Sequence, residues 1–471
     1  MKIAHVASEV YPFSKTGGLA DVVGTLPSRL SELGADVSVF SPAYGSVLSR
    51  RRGSLSSFYK SWAEVGSNVY EFDILSVKEG GVDYYFFYNE FFFDRDGIYG
   101  NAQGDFSDNI LRYFAFCKAV LNFVLSDKLQ CDIIHCHDWQ TSFIPLLIKD
   151  KQIRSPKIFF SIHNLAFQGV SGEKILTELG IDRSYFHMEC LEYFGRVNFL
   201  KSAIVLSDIV GTVSPSYARE ILSKEFGFGL DGILRKYSDK IVGILNGIDY
   251  TLWDPETDRF IYKQYSIEDL DGKEDNKRYF ASEFGFEAEK PLFVIVSRLT
   301  HQKGMDLVIK ALKRGAFSGA SLFVLGDGDE SFCRELKKFS DNSDDVFFLR
   351  GFRESLSRRV YASGDFYLMP SIFEPCGISQ MISMRYGTLP IARATGGLKD
   401  TVVDISRKDG YGLVFEEANI TKFIDKIEEA KRIFEKKERL SDFRIRAMKN
   451  DFSWKKSAKE YLDVYSDMLR G

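Results

Sequence analysis

Thr16-Gly17-Gly18-Leu19-Ala20-Asp21-Val22-Val23 and Thr395-Gly396-Gly397-Leu398-Lys399-Asp400-Thr401-Val402 share the pattern T-G-G-L-x-D-x-V, one copy in each half of a 471-residue chain. A Gly-Gly pair removes side chains where backbone must approach a ligand. The apolar-periodic segment behind each pair reads as a helix whose unpaired N–H groups and positive dipole end face that ligand. Either copy alone is also what a tight turn looks like. The duplication points to two similar α/β domains facing each other across a cleft that holds one anionic group, with Lys15 adding a cation ahead of the first copy. The spacing is not G-x-x-x-x-G-K-[ST], so a nucleoside triphosphatase loop is excluded.

Outward from these phrases, short apolar strands alternate with helical stretches. Strands are predicted at 2–7, 36–41, 84–88, 132–137, 157–163 and 209–213, and again at 291–297, 321–325, 346–349, 366–369, 389–392 and 412–415. Several are apolar on both faces, as a parallel sheet covered by helices requires. The scheme is a doubly wound α/β sheet written twice, in which ligands bind beyond the carboxyl ends of the strands. The length calls for two domains. A seam is expected near Asn246-Gly247, giving one domain over 1–242, a second over 243–453, and a C-terminal helix over 454–471 that packs back on the first domain.

A hydrophobic content of 45%, a charged content of 27% and a net charge of −4 describe a soluble globular protein without a basic face for nucleic acid or anionic membrane. The opening residues are too soon interrupted by charge for a signal peptide, and no apolar run reaches membrane-spanning length, which places the chain in the cytoplasm. Six cysteines without C-x-x-C pairs suit a reduced compartment. His135-Cys136-His137-Asp138 resembles a metal cluster. It ends a strand, however, so its side chains alternate between faces and the four cannot converge on one ion.

The chemistry-bearing residues follow strand ends. Trp139 after Asp138 offers a flat apolar plate beside a carboxylate, a pairing that holds sugars and that a core tryptophan also satisfies. Arg298 and Lys303 flank a turn leading into a helix, a placement suited to a leaving diphosphate. Cys376, between Pro375 and Gly377, lies near cations expected to favour its thiolate.

Together, Lys15-Thr16-Gly17-Gly18-Leu19, Ser161-Ile162-His163-Asn164, Ser297-Arg298-Leu299 with Gln302-Lys303-Gly304, Glu374-Pro375-Cys376-Gly377 and Arg393-Ala394-Thr395-Gly396-Gly397-Leu398 resemble the bacterial glycogen synthases and plant starch synthases, in order over essentially the whole chain. The resemblance implies the GT-B fold and transfer of glucose from ADP-glucose to the non-reducing end of an α-1,4-glucan such as glycogen, with retention and without metal or other cofactor. It implies that Lys15, Arg298 and Lys303 clamp the diphosphate and that His163 lies beside the anomeric carbon. Glu374 with Cys376 and Gly377 would hold the donor glucose, while Gly17, Gly18 and the Thr395-Gly396-Gly397-Leu398 segment would meet phosphate. Tyr99, Asp138, Trp139, Asn164 and Asn246 would line the sugar cleft.

Ser371-Ile372 stands where many relatives place an arginine before Phe-Glu, and Phe352 where a tyrosine often stacks near the base. Such departures leave donor base and acceptor preference open. UDP-glucose as donor, or a non-catalytic glucan-binding protein of the same fold, are the alternatives; a phosphorylase would require bound pyridoxal phosphate. No second acid stands out as a nucleophile for double displacement. The route that the resemblance implies is a front-face transfer in which the departing phosphate helps take the acceptor proton.

Overall fold

The computed structural model describes residues 1–45, 47–48, 56–101, 103–126 and 129–470. It divides into two compact units, one of 1–213, 218–244 and 454–471 and the other of 214–217 and 245–453.

The first unit is built on β1 (Lys2–Val6), β2 (Asp36–Pro42), β3 (Ser56–Val65), β4 (Asn68–Glu79), β5 (Val82–Tyr88), β6 (Ile133–His137), β7 (Lys157–Ile162), β8 (Ile209–Thr212) and β9 (Ile241–Gly243). They form one sheet in the order β9-β8-β7-β6-β1-β2-β5-β4-β3. From β9 to β5 all neighbours are parallel, and β4 and β3 extend the sheet antiparallel. This antiparallel pair is absent from the sequence-based strand set. Its buried face carries Ser61, Ala63 and Val65 while Trp62 faces out, 53% exposed. The hydrophobic contrast that marks a half-buried strand is thus inverted at its largest residue.

Helix Gly18–Glu32 packs Val22, Leu26 and Leu30 into a core shared with Ile3, Val37, Ile133 and Phe159. The C-terminal helix Trp454–Arg470 completes that core with Trp454, Ala458, Tyr461, Tyr465 and Met468. Its polar residues occupy the opposite face, the 3.6-residue stripe of a surface helix.

The second unit holds β10 (Leu292–Val296), β11 (Ser321–Gly326), β12 (Val346–Arg350), β13 (Phe366–Met369), β14 (Leu389–Arg393) and β15 (Leu413–Phe415), all parallel, in the order β12-β11-β10-β13-β14-β15. Beneath the sheet, buried Asp365 pairs with Lys277 at 2.7 Å and Arg444 at 2.5 Å, fixing helices Asp271–Phe284 and Lys437–Lys449 to it. No helix among the described residues is long and apolar enough to cross a membrane.

Among the parallel strands of each sheet the order reverses at one point, between β1 and β6 in the first unit and between β10 and β13 in the second. Crevices at the carboxyl ends of such strand pairs are where doubly wound sheets bind ligands.

Candidate active site

In the first unit the chain leaves β1 through Ala7-Ser8 into Glu9, a carboxylate only 2% exposed. Glu9 accepts the Thr16 hydroxyl at 2.7 Å, the Thr16 N–H, the Gly17 N–H at 3.3 Å and the Tyr99 hydroxyl at 2.5 Å. One buried acid therefore shapes the first Thr-Gly-Gly-Leu loop. Gly17 is the cap of helix Gly18–Glu32, in extended conformation with φ −150°. Its N–H is already engaged, and the Gly18 N–H is left without a partner among the described residues. Lys15 pairs with Asp21 at 2.5 Å while both stay substantially exposed, so the cation is available to an incoming group. Tyr99 also meets the Ser8 hydroxyl at 2.7 Å. Burial and Glu9 hold its phenol well above the usual range.

At the end of β6, Asp138 adopts φ +57°, a left-handed value unusual for a residue with a β-carbon. Its Oδ1 accepts the N–H of His163 at 2.7 Å and of Asn164 at 3.4 Å. It therefore ties the end of one strand to the loop after the next. Burial pushes its carboxyl up to about 7, against these two bonds. The Asn164 side chain turns back to the Ala166 N–H at 3.1 Å. Trp139 is half-buried and edge-on to Tyr113 at 5.7 Å, and a β-carbon placed on Gly169 would collide with its ring. Protein thus covers much of the expected sugar plate.

The His-Cys-His-Asp stretch does not converge: His135 and His137 share one face of β6, Cys136 takes the other, and Asp138 turns to the next loop. What strand alternation alone did not reveal is that His5, register partner of His135 on β1, joins the two histidines. His137 then bonds His163, Nδ1 to Nε2, at 3.0 Å.

In the second unit β10 leads to Ser297-Arg298. Arg298 is exposed, and its guanidinium pairs with nothing among the described residues. A short helix, His301–Lys303, follows, and Gly304 at φ +71° passes so close to Pro370 that a β-carbon would strike its carbonyl. That contact aims Lys303 at the loop after β13. Its Nζ lies 2.6 Å from Oε2 of Glu374, a carboxylate 5% exposed that also accepts the Ser371 hydroxyl at 3.0 Å. Arg393, buried at the end of β14, holds this loop by donating to the Ser371 carbonyl at 2.8 Å and to that of Ile372.

The second Gly-Gly pair has an internal reason. A β-carbon on Gly396, φ +47°, would collide with the Glu374 carbonyl, and one on Gly397 with the Cys376 backbone. The close approach that the glycines permit is therefore to the Glu374–Cys376 segment itself, whose Glu374 carbonyl accepts the Gly397 N–H at 3.0 Å. Behind it the helix Gly397–Thr401 has only five residues, with Thr395 and Leu398 buried. Gly377, at φ +75°, turns its carbonyl to the Gln380 amide at 2.9 Å.

One expectation changes. Cys376 is no thiolate: burial pushes its thiol up to about 12, beyond what the nearby Lys303 offsets. Asn246 is buried, and its side-chain oxygen has no partner among the described residues. Glu9 and His5 are the groups that motif reading passes over, and Arg393, though part of a quoted motif, carries no role there. The one signal for Glu9 is a lone acid inside the apolar run from Val6 to Phe13.

Residues 2–236 match the family model described as starch synthase catalytic domain, and 277–446 match glycosyl transferases group 1. The chain is 41% identical to a glycogen synthase of Geotalea uraniireducens, over 99% of this chain and 98% of that one, and 39% identical to a glycogen synthase of Anoxybacillus flavithermus, over 100% and 99%. The catalytic domain of starch synthase IV from Arabidopsis thaliana, solved bound to ADP and acarbose, superposes with a TM-score of 0.92 at 34% identity, covering 100% of this chain and 99% of that one. A sucrose-phosphate synthase from Thermosynechococcus elongatus, at TM-score 0.62 and 15% identity, shares the fold. Two α/β units with ligand-facing loops at their switch points, matched end to end by these relatives, make the chain a glycosyltransferase of GT-B fold that belongs to the glycogen synthase and starch synthase family.

Proposed function

We propose that the protein transfers glucose from ADP-glucose to the non-reducing end of an α-1,4-glucan, with retention and without a metal, releasing ADP. The observation that carries this reading is the Lys303–Glu374 pair with Arg298 on the preceding turn. Before donor binds, Lys303 neutralises a buried carboxylate. A sugar diphosphate would draw the lysine toward phosphate and free Glu374 to accept sugar hydroxyls, while Arg298 offers a planar fork to the same anion. Charge building on the leaving phosphate then meets fixed cations, the arrangement that lowers the barrier most when it precedes the reaction.

His163 is neutral, its imidazole held down to about 3 by burial, so its role is polar contact and not proton donation from an imidazolium. The departing phosphate is the base for the acceptor hydroxyl. Asn246, Tyr99, Asp138, Trp139 and Asn164 serve sugar binding, the first through its unpartnered carbonyl. Lys15, Gly17, Gly18 and the Thr395–Leu398 segment serve the phosphate, and Cys376 and Gly377 shape the donor pocket. All six cysteines are free, which suits a reducing compartment, and we place the reaction in the cytoplasm.

The test is nucleoside diphosphate release from ADP-glucose and UDP-glucose, side by side, with glycogen as acceptor. Faster release from ADP-glucose with matching glucan extension supports the reading. Preference for UDP-glucose would overturn the donor, and release from neither would favour a glucan-binding protein.

A further inference from the structure

Four of the six histidines lie together in the first unit. Three of them form a line: His163 Nε2 to His137 Nδ1 at 3.0 Å, then His137 Nε2 to His5 Nδ1 at 3.0 Å. Burial holds His5 and His163 down to about 3, and His137 well below the ordinary value, so all three rings are neutral. A neutral imidazole has one N–H and one lone pair, so two bonds in series must run in the same direction.

The inner end decides which. His5 Nε2 is buried, and no group among the described residues reaches it. An unpaired buried N–H is rarer and costlier than an unused acceptor. The His5 proton therefore sits on Nδ1 and is donated to His137 Nε2, and His137 in turn donates from Nδ1 to His163 Nε2. The proton of His163 is thereby left on Nδ1. His135 braces the line without joining it. It stacks on His137 with centroids 3.9 Å apart, while its own nitrogens meet the Ser161 hydroxyl at 2.7 Å and the Tyr465 hydroxyl at 2.6 Å.

We infer that His5 and His137 are positioning residues that lock His163 as the Nδ1–H tautomer, so that it offers a fixed N–H donor and no basic nitrogen. Resting on the reading that His163 lies beside the reacting carbon, this makes His163 a donor to a sugar or phosphate oxygen. It also explains why the acceptor proton must go elsewhere.

His5, His135 and His137 bring three nitrogens within 4.8 Å of one another, a spacing that could hold a metal. Both nitrogens of His137 are spent on neighbouring rings, and both of His135 on hydroxyls. Stacked rings also keep their in-plane lone pairs from converging, and no carboxylate in the group offsets a dication.

The test is a long-range ¹H–¹⁵N correlation of the ring nitrogens in the full-length, deuterated, histidine-labelled protein, free of substrate. Six histidines keep it resolvable, with His→Gln variants supplying assignments. The expected spectrum shows Nδ1 protonated and Nε2 bare at His163, His137 and His5, unchanged between pH 6 and 8.5. A proton on His163 Nε2, titration near 6.5, or stoichiometric metal in the purified protein would each overturn the proposal.

His5→Leu removes the first donor and His5→Asn restores an N–H near the Nδ1 position. The first is expected to shift the His163 tautomer and lower kcat on the order of tenfold to a hundredfold with little change in KM, and the second to keep both near wild type. An unshifted His163 in folded His5→Leu would refute the relay, and the wild-type spectrum decides the tautomer if that variant does not fold. Because the spectrum needs no substrate, an error in the assigned reaction would leave it intact and show instead in the product-release assay.

Discussion

Replacing Lys303 by methionine keeps the length of the side chain and removes its charge. Glu374 is then left with the Ser371 hydroxyl as its remaining side-chain partner in a site where the two charged side chains are 18% and 7% exposed. Removing one member of a buried pair costs about 3–5 kcal/mol when both are dry. The residual exposure of Lys303 lowers this to about 2–3 kcal/mol. Lost electrostatic stabilisation of the leaving phosphate should cut turnover about 10²–10³-fold, as removal of one oxyanion-hole donor does. The two effects separate in the double variant Lys303→Met/Glu374→Gln. Neutralising the carboxylate should recover most of the stability and none of the activity. Urea unfolding followed in the second unit, together with ADP release at saturating glycogen, measures both. A single variant with stability within 0.5 kcal/mol of wild type and turnover within threefold would refute a buried, catalytically aimed pair.

Gly17→Ala should fold with an unchanged melting temperature, since nothing lies within 4 Å of a β-carbon there and the backbone is extended; a raised donor KM in initial-rate kinetics is the expected effect. Gly397→Ala, forced against the Cys376 backbone, should instead lower the melting temperature and expression yield. The Asp138 carboxyl, raised from 3.8 to about 7 by burial, is charged in the unfolded chain but protonated in the folded one between those values. Stability from this group is therefore full below about 4 and declines as pH rises toward 7. Asp138→Asn should flatten that decline by about 1 kcal/mol or more between pH 5 and 8 in paired denaturation curves, and a parallel pH dependence in both proteins would contradict it. Tyr465→Phe leaves His135 Nδ1 without its hydroxyl partner and should cost about 1–2 kcal/mol in urea unfolding.

The parallel strands other than β9 were legible because each is a short apolar run between helical patterns, most of them buried on both faces; the observed ends differ from the sequence-based ones by at most two residues. The β3–β4 hairpin was not, because its inner face is small and its tryptophan faces outward. At the site, motif spacing picked out Lys303 and Glu374, and the structure brings them together. It could not foresee that the glycines of the second phrase make room for the unit's own backbone, or that Glu9 occupies the first phrase's N–H groups. Those facts depend on which loops the strand order makes neighbours. The histidine line is invisible for the same reason: His5 and His135 are 130 residues apart, yet β1 and β6 place them in register.

The return of the last helix to the first unit has a consequence for how the protein is made. As the chain leaves the ribosome, residues 1–244 emerge before 454–471, so the face that receives Trp454, Ala458, Tyr461, Tyr465 and Met468 stays uncovered until the second unit has also been made. The second unit, one continuous stretch from 245 to 453 apart from a four-residue segment, can mature in the meantime. Assembly therefore closes on the half that began it. A message cut short after residue 453 would yield a sound second unit tethered to a first one with an open apolar seam, a species marked for chaperones or proteolysis rather than for partial activity.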